Sequence, residues 1–116
     1  MPIRVAQIGT GNVGAHALRS VIANPAFELT AVWVSSEAKA GKDAAELIGL
    51  DTKTGIITTT DLDAVLATKP DCAVYNAMAD NRLMEALEDY RRILAAGVNV
   101  VGSGPVFLQW PWQVIP

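Results

Sequence analysis

Apolar and polar positions along the chain switch repeatedly between a period of two and a period near 3.6. Ile3–Ile8 is an apolar run that predicts a strand, and Ala15–Ala23 has the spacing of a helix. On that helix Val13, Ala17, Leu18, Val21 and Ile22 are expected to face a core, with Asn12, His16, Arg19 and Ser20 forming a polar stripe. Asn24-Pro25 ends it, and the β-branched and aromatic run Phe27–Val34 predicts a second strand. A polar loop over Ser35–Lys42 leads to a short helix around Asp43–Ile48, and Gly55 precedes a third strand at Ile56–Thr59. Thr60 with Asp63 three residues on is close to a capping box and opens a helix over Leu62–Ala67. Pro70-Asp71 punctuates the pattern before a short buried strand, Cys72–Tyr75. Asp80 or Asn81 can cap the longest helix, Arg82–Ala96, which stops at Gly97; Val98–Val101 is the fifth strand.

In the longest helix Leu83, Leu87, Tyr90 and Leu94 fall on one face, and Glu88 precedes Arg92 in the favourable i,i+4 order. That is the pattern of a surface helix packed on a sheet. Regular alternation of strand and helix predicts an α/β fold: a Rossmann-like parallel sheet with helices on both faces, because βαβ crossovers are right-handed. The expected strand order is 3-2-1-4-5, within one domain over residues 1–105. A ligand crevice is then expected where the order reverses, at the carboxyl ends of the first and fourth strands. Gly9–Val13 and Asn76–Ala79 fall there. Ala77 and Ala79 are small enough to admit a close ligand, and equally suit an ordinary turn.

The first crevice segment carries the chemistry. Gly9-Thr10-Gly11-Asn12-Val13-Gly14 joins a strand to a helix, the setting in which a GxGxxG turn binds a dinucleotide. Gly9 permits the tight turn, Gly11 lets the backbone approach a pyrophosphate, and Gly14 lets the helix pack closely. The helix start offers unpaired N–H groups and a positive dipole end to phosphate. The expected contacts are Gly9, Thr10, Gly11, Asn12, Val13 and Gly14, with Ala77 from the opposite loop. A tight turn without a ligand is the alternative. A site for NAD usually has a carboxylate at the end of the second strand, to bond the ribose 2′-hydroxyl. This strand ends Trp33-Val34-Ser35-Ser36, and Glu37 comes one or two residues late. Ser35 and Ser36 can bond a 2′-phosphate, and Lys39 or Lys42 can neutralise it, so NADP(H) is expected over NAD(H). A solvated loop touching nothing is the other reading.

Composition narrows the classes. The 116 residues are 51% hydrophobic with mean hydropathy +0.28, enough to build a core. The net charge of −3, without a basic cluster, argues against a nucleic-acid partner. A single cysteine excludes an internal disulfide and fits a reducing compartment. Met1-Pro2 runs straight into the first strand, and no apolar stretch approaches the roughly 20 residues of a membrane span. A cytoplasmic protein without a membrane is expected. His16 lies on a polar stripe, Cys72 reads as an inert buried thiol, and Tyr75 and Tyr90 read as packing residues. No metal-ligand spacing occurs, and no residue is expected to be catalytic.

Four segments carry a family resemblance: IRVAQIGTGNVG at 3–14, VWVSSEAKAGKDAAEL at 32–47, DCAVYNA at 71–77 and GVNVVGSGPVFLQWP at 97–111. The chain resembles the N-terminal NAD(P)-binding domain of the dihydrodipicolinate reductase-like family, especially its 2,4-diaminopentanoate dehydrogenase-type branch. The resemblance implies an oxidoreductase that transfers hydride to or from an imine- or amine-type carbon. Family members continue into a second domain that holds the substrate, so the resemblance assigns cofactor contacts here and no catalytic group. The chain alone is then expected to bind cofactor without turnover. The apolar tail 106–116, with Trp110 and Trp112, is expected to meet either that missing domain or another copy of the chain; rings folded back onto this domain's own sheet are the alternative. A non-catalytic nucleotide-sensing module is the rival reading. A methyltransferase is disfavoured, because Gln7 stands where that class usually has an acidic residue.

Overall fold

The computed structural model describes residues 2–77 and 83–102, without the side chain of Leu83. Four parallel strands form one sheet in the order β2-β1-β3-β4. β1 (Ile3–Ile8) is central, pairing with β2 (Phe27–Trp33) from Ile3↔Phe27 to Ile8↔Trp33. On its other side it pairs with β3 (Cys72–Tyr75) from Val5↔Cys72 to Ile8↔Tyr75, and β3 pairs with β4 (Asn99–Gly102).

The sheet has a core on each face, set by the two-residue alternation of its strands. Ala31 and Trp33 of β2 join Ala6, Ile8 and Tyr75 beneath α3 (Leu62–Ala67) and α4 (Leu83–Ala95). Val32, next along β2, packs instead with Val34, Leu18 of α1 (Asn12–Ala23) and Ala44 of α2 (Ala44–Leu47). In the larger core the rings of Tyr75 and Tyr90 lie 4.7 Å apart at 57°.

Several local expectations need correction. Ile56–Thr59 is not a strand of the sheet; it makes only isolated bridges, Thr59 with Trp33 and Ile57 with Asp43. Its backbone serves two neighbours: the Val34 N–H donates to Thr59 O at one end, while the Ala44 N–H donates to Ile56 O at the other. The five-strand order 3-2-1-4-5 therefore contracts to four strands, which keep the expected sequence of neighbours.

α1 starts at Asn12, not Ala15, so Val13 lies in its first turn and is 59% exposed instead of facing the core. α3 is capped by Asp61, whose carboxylate accepts from the Asp63 N–H. The Thr60 hydroxyl, the expected cap, donates to Glu37 instead. α4 buries Ala86, Tyr90 and Ile93 and leaves Leu94 57% exposed, a face rotated from the expected one. Glu88 pairs with Arg91, not Arg92, and Arg92 reaches across to Asp63 of α3. Asp80 and Asn81, Ala79, and the tail with Trp110 and Trp112 lie outside the described residues.

Candidate functional site

The glycine turn leaves β1 and enters α1, and each glycine meets a different constraint. Gly9 has φ +97°, a conformation that L side chains rarely adopt, and a Cβ there would lie 2.6 Å from the Ala77 backbone nitrogen. At Gly14 a Cβ would lie 2.3 Å from the Gly9 carbonyl oxygen. Gly11 is the opposite case: a Cβ would meet nothing within 4 Å. Two glycines are thus required by the protein's own packing, and the third borders open space.

That space lies at the start of α1. Gly11 is the N-cap and supplies no side-chain hydrogen bond, and the first turn carries no acidic residue. The first N–H groups of the helix therefore lack a side-chain cap, and the positive end of the helix dipole is not neutralised from its own sequence. Asn12 and Val13 are exposed beside it, and Thr10 is half-buried. A cradle of backbone donors around a position with room for a ligand fits the pyrophosphate of a dinucleotide. Ala77 closes the opposite wall, with its backbone seated against Gly9.

Sequence reasoning missed what fastens these two walls. Gln7 is fully buried in the apolar run of β1, and its Nε2 donates to Gly9 O at 3.0 Å and to Asn76 Oδ1 at 2.8 Å. The Asn76 N–H in turn donates to Ile8 O at 2.7 Å. The available signal was the amide itself, because a polar side chain inside a buried strand must have partners.

On the β2 side the Gly9 N–H donates to Trp33 O at 2.9 Å, placing the loop after β2 next to the turn. Ser35 and Lys39 are exposed. Ser36 Oγ accepts from the Ala38 N–H at 3.1 Å, capping a single 3₁₀ turn over Glu37–Lys39. The Glu37 carboxylate accepts from the Thr60 hydroxyl at 2.8 Å, while Trp33 Nε1 donates to Thr60 O. The structure thus gathers Gly9–Gly14 and Ala77 into one cradle and sets Ser35, Ser36 and Lys39 on a neighbouring loop.

The base of that loop is held by Asp43, whose carboxylate accepts from Thr54 N–H and Oγ1, Ala45 N–H and Gly55 N–H. Led by the bond from the Thr54 N–H, these lower its pKa to about 2, against the opposing effect of desolvation. Cys72 is half-buried, and desolvation, then the Asp71 charge, pushes its thiol pKa up, away from a nucleophilic thiolate. His16 is exposed. No helix among the described residues is long and apolar enough to cross a membrane.

Comparison with known proteins gives this geometry a lineage. Residues 3–101 match the family described as dihydrodipicolinate reductase, N-terminus. An amine dehydrogenase from Streptomyces virginiae is 50% identical over 93 residues, which are 80% of this chain and 26% of that protein. The solved amine dehydrogenase of Mycobacterium smegmatis superposes with a TM-score of 0.81 at 27% identity, covering all of this chain and 33% of its own. The chain therefore spans about a quarter to a third of the length of these relatives. It belongs to the dihydrodipicolinate reductase N-terminal family, as a Rossmann-like NAD(P)-binding domain.

Proposed function

We propose that this chain holds the cofactor of an oxidoreductase that transfers hydride to or from an imine- or amine-type carbon, with NADP(H) preferred over NAD(H). The observation that carries the cofactor reading is the contrast within the turn: Gly9 and Gly14 are blocked by protein, whereas Gly11 faces free space at an uncapped helix start. The N–H groups at Asn12, Val13 and Gly14 are the natural donors to the pyrophosphate, with Thr10 beside them. The chemistry of the step, a hydride, is supplied by the cofactor when bound. The residues here bind and orient. The substrate class rests on the amine dehydrogenase relatives, and the groups that handle it are expected in sequence beyond the compared portion.

The NADP(H) preference rests on the loop after β2. No carboxylate stands at the end of β2, and Glu37 is engaged by Thr60, which leaves Ser35, Ser36 and Lys39 to meet a 2′-phosphate. For the tail, we propose that Trp110 and Trp112 contact a second domain or a second copy, to be read by sedimentation of the chain with both tryptophans present and replaced.

Parallel calorimetric titrations of the chain with NADPH and NADH, repeated on Gly11→Val, test the cofactor reading. The valine side chain takes the space assigned to the pyrophosphate, so affinity is expected to fall by at least about tenfold while the chain remains folded. Undiminished binding by the variant refutes the site, and equal affinity for the two cofactors refutes the preference.

A further inference from the structure

We infer that Asn76 is a cofactor-positioning donor, presenting its Nδ2 to the nicotinamide-side half of the bound dinucleotide, and that Gln7 sets the orientation of its amide. The inference rests on the dinucleotide reading of the glycine turn and extends it to the opposite wall.

The orientation follows from donor and acceptor chemistry. Gly9 O can only accept, so the nitrogen end of the Gln7 amide must face it. The same nitrogen faces Asn76, which must therefore turn its oxygen inward to accept the second N–H. Both Gln7 donors are then spent, and the Asn76 amide can point its Nδ2 only the other way. Asn76 is half-buried, and none of the described residues accepts from its Nδ2. The arrangement also carries a cost, since Gln7 Oε1 is buried without a partner. An apolar residue at position 7 would fill the strand without that cost, so the gain lies in what the two N–H groups fix.

The location selects the part of the ligand. β2 and its loop flank one side of β1, and β3, which Asn76 continues, flanks the other. A dinucleotide with its pyrophosphate on the turn and its adenosine over the end of β2 extends its second half toward β3. Asn76 stands at the boundary: its Cβ would be 3.4 Å from a Cβ at Gly14.

The test is an NMR titration of the chain with NADPH and with its adenosine half, 2′,5′-ADP. Asn76→Asp keeps an acceptor for Gln7 and removes the donor, and Gln7→Met keeps the volume and frees the Asn76 amide. For Gln7→Met, NADPH affinity is expected to fall severalfold while 2′,5′-ADP changes by less than about twofold. For Asn76→Asp, whose added charge weakens both phosphate ligands, NADPH is expected to lose about tenfold more than 2′,5′-ADP. A purely structural role lowers both ligands equally, and that result, or no change in either, overturns the inference. Side-chain amide hydrogen exchange in the free wild-type chain decides the orientation independently: Gln7 N–H exchanges slowly and Asn76 Nδ2–H rapidly. A protected Asn76 amide overturns the proposal even where NADPH binds. Failure of the wild type to bind NADPH instead counts against the cofactor function and leaves the exchange measurement to decide the orientation.

Discussion

The glycine turn and the loop after β2 meet at the last residue of that strand, where the Gly9 N–H donates to Trp33 O, yet they are built on different principles. The turn is over-determined. Gly9 is fixed by its φ and by the Ala77 backbone, Gly14 by the Gly9 carbonyl, and the two walls by Gln7. The loop is exposed at Ser35, Glu37 and Lys39; Ser36, Glu37 and the Lys39 carbonyl are bonded within the loop or to Thr58 and Thr60, and the side chains of Ser35 and Lys39 are left to the solvent side. On the proposed cofactor reading, the difference separates binding a pyrophosphate, which needs a shape the backbone must hold, from choosing between two cofactors. The choice needs only a few side chains at one edge.

The strongest way to break this contrast is at Gly9. Gly9→Ala combines backbone strain of about 1–3 kcal/mol with overpacking of similar size against Ala77, so a loss near 3 kcal/mol or more is expected in denaturant unfolding. Gly11→Ala, with open space around it, is expected to lose no more than about 1 kcal/mol, the scale of an N-cap change. Equal losses would show that the turn is not divided as described. The loop is probed next by Ser35→Asp, which should raise the NADPH dissociation constant by about tenfold through repulsion of the 2′-phosphate, with NADH changed less than about threefold. Parallel losses for the two cofactors would remove the loop from the specificity reading.

The smallest effect concerns the base of the loop. Asp43 has a folded pKa of about 2 against a reference of 3.8, so the carboxylate favours the folded state above the reference value. That contribution fades as pH falls from 3.8 toward about 2. An acid titration of stability should therefore be shallower over this window in Asp43→Asn than in the wild type. Identical profiles would mean that the bonds from Thr54 and Gly55 do not depend on charge.

What the sequence discloses follows the same division. Strand β1, the glycine turn and helix α1 are legible because a largely apolar six-residue stretch, three glycines and a helical period all agree over about twenty residues. The four-residue strand β3 is legible from Pro70-Asp71 and its apolar run. Ile56–Thr59 misleads because β-branched residues signal extended backbone, while pairing depends on where the neighbours lie. In α4 the large side chains draw the eye to Leu94, whereas Ala86 and Ile93 define the buried stripe. Val13 is apolar but sits at the mouth of the turn. The Gln7–Asn76 bond joins residues 69 apart, so the local window shows a polar amide inside a buried strand but not the partner it finds.

That separation has a consequence for the order of events in folding. The β1–β2 pair closes a short span, as the 24-residue separation of Arg4 and Glu28 illustrates, whereas β1–β3 and the Gln7–Asn76 bond wait for a loop nearly three times as long. Because longer closures cost more chain entropy, the cradle is expected to be completed late, after the β1–β2 pair has formed. A dinucleotide that recognises only the finished cradle should then slow unfolding and leave the refolding rate nearly unchanged. Stopped-flow refolding with and without NADPH would show it: a faster folding limb would place the cradle in the transition state instead.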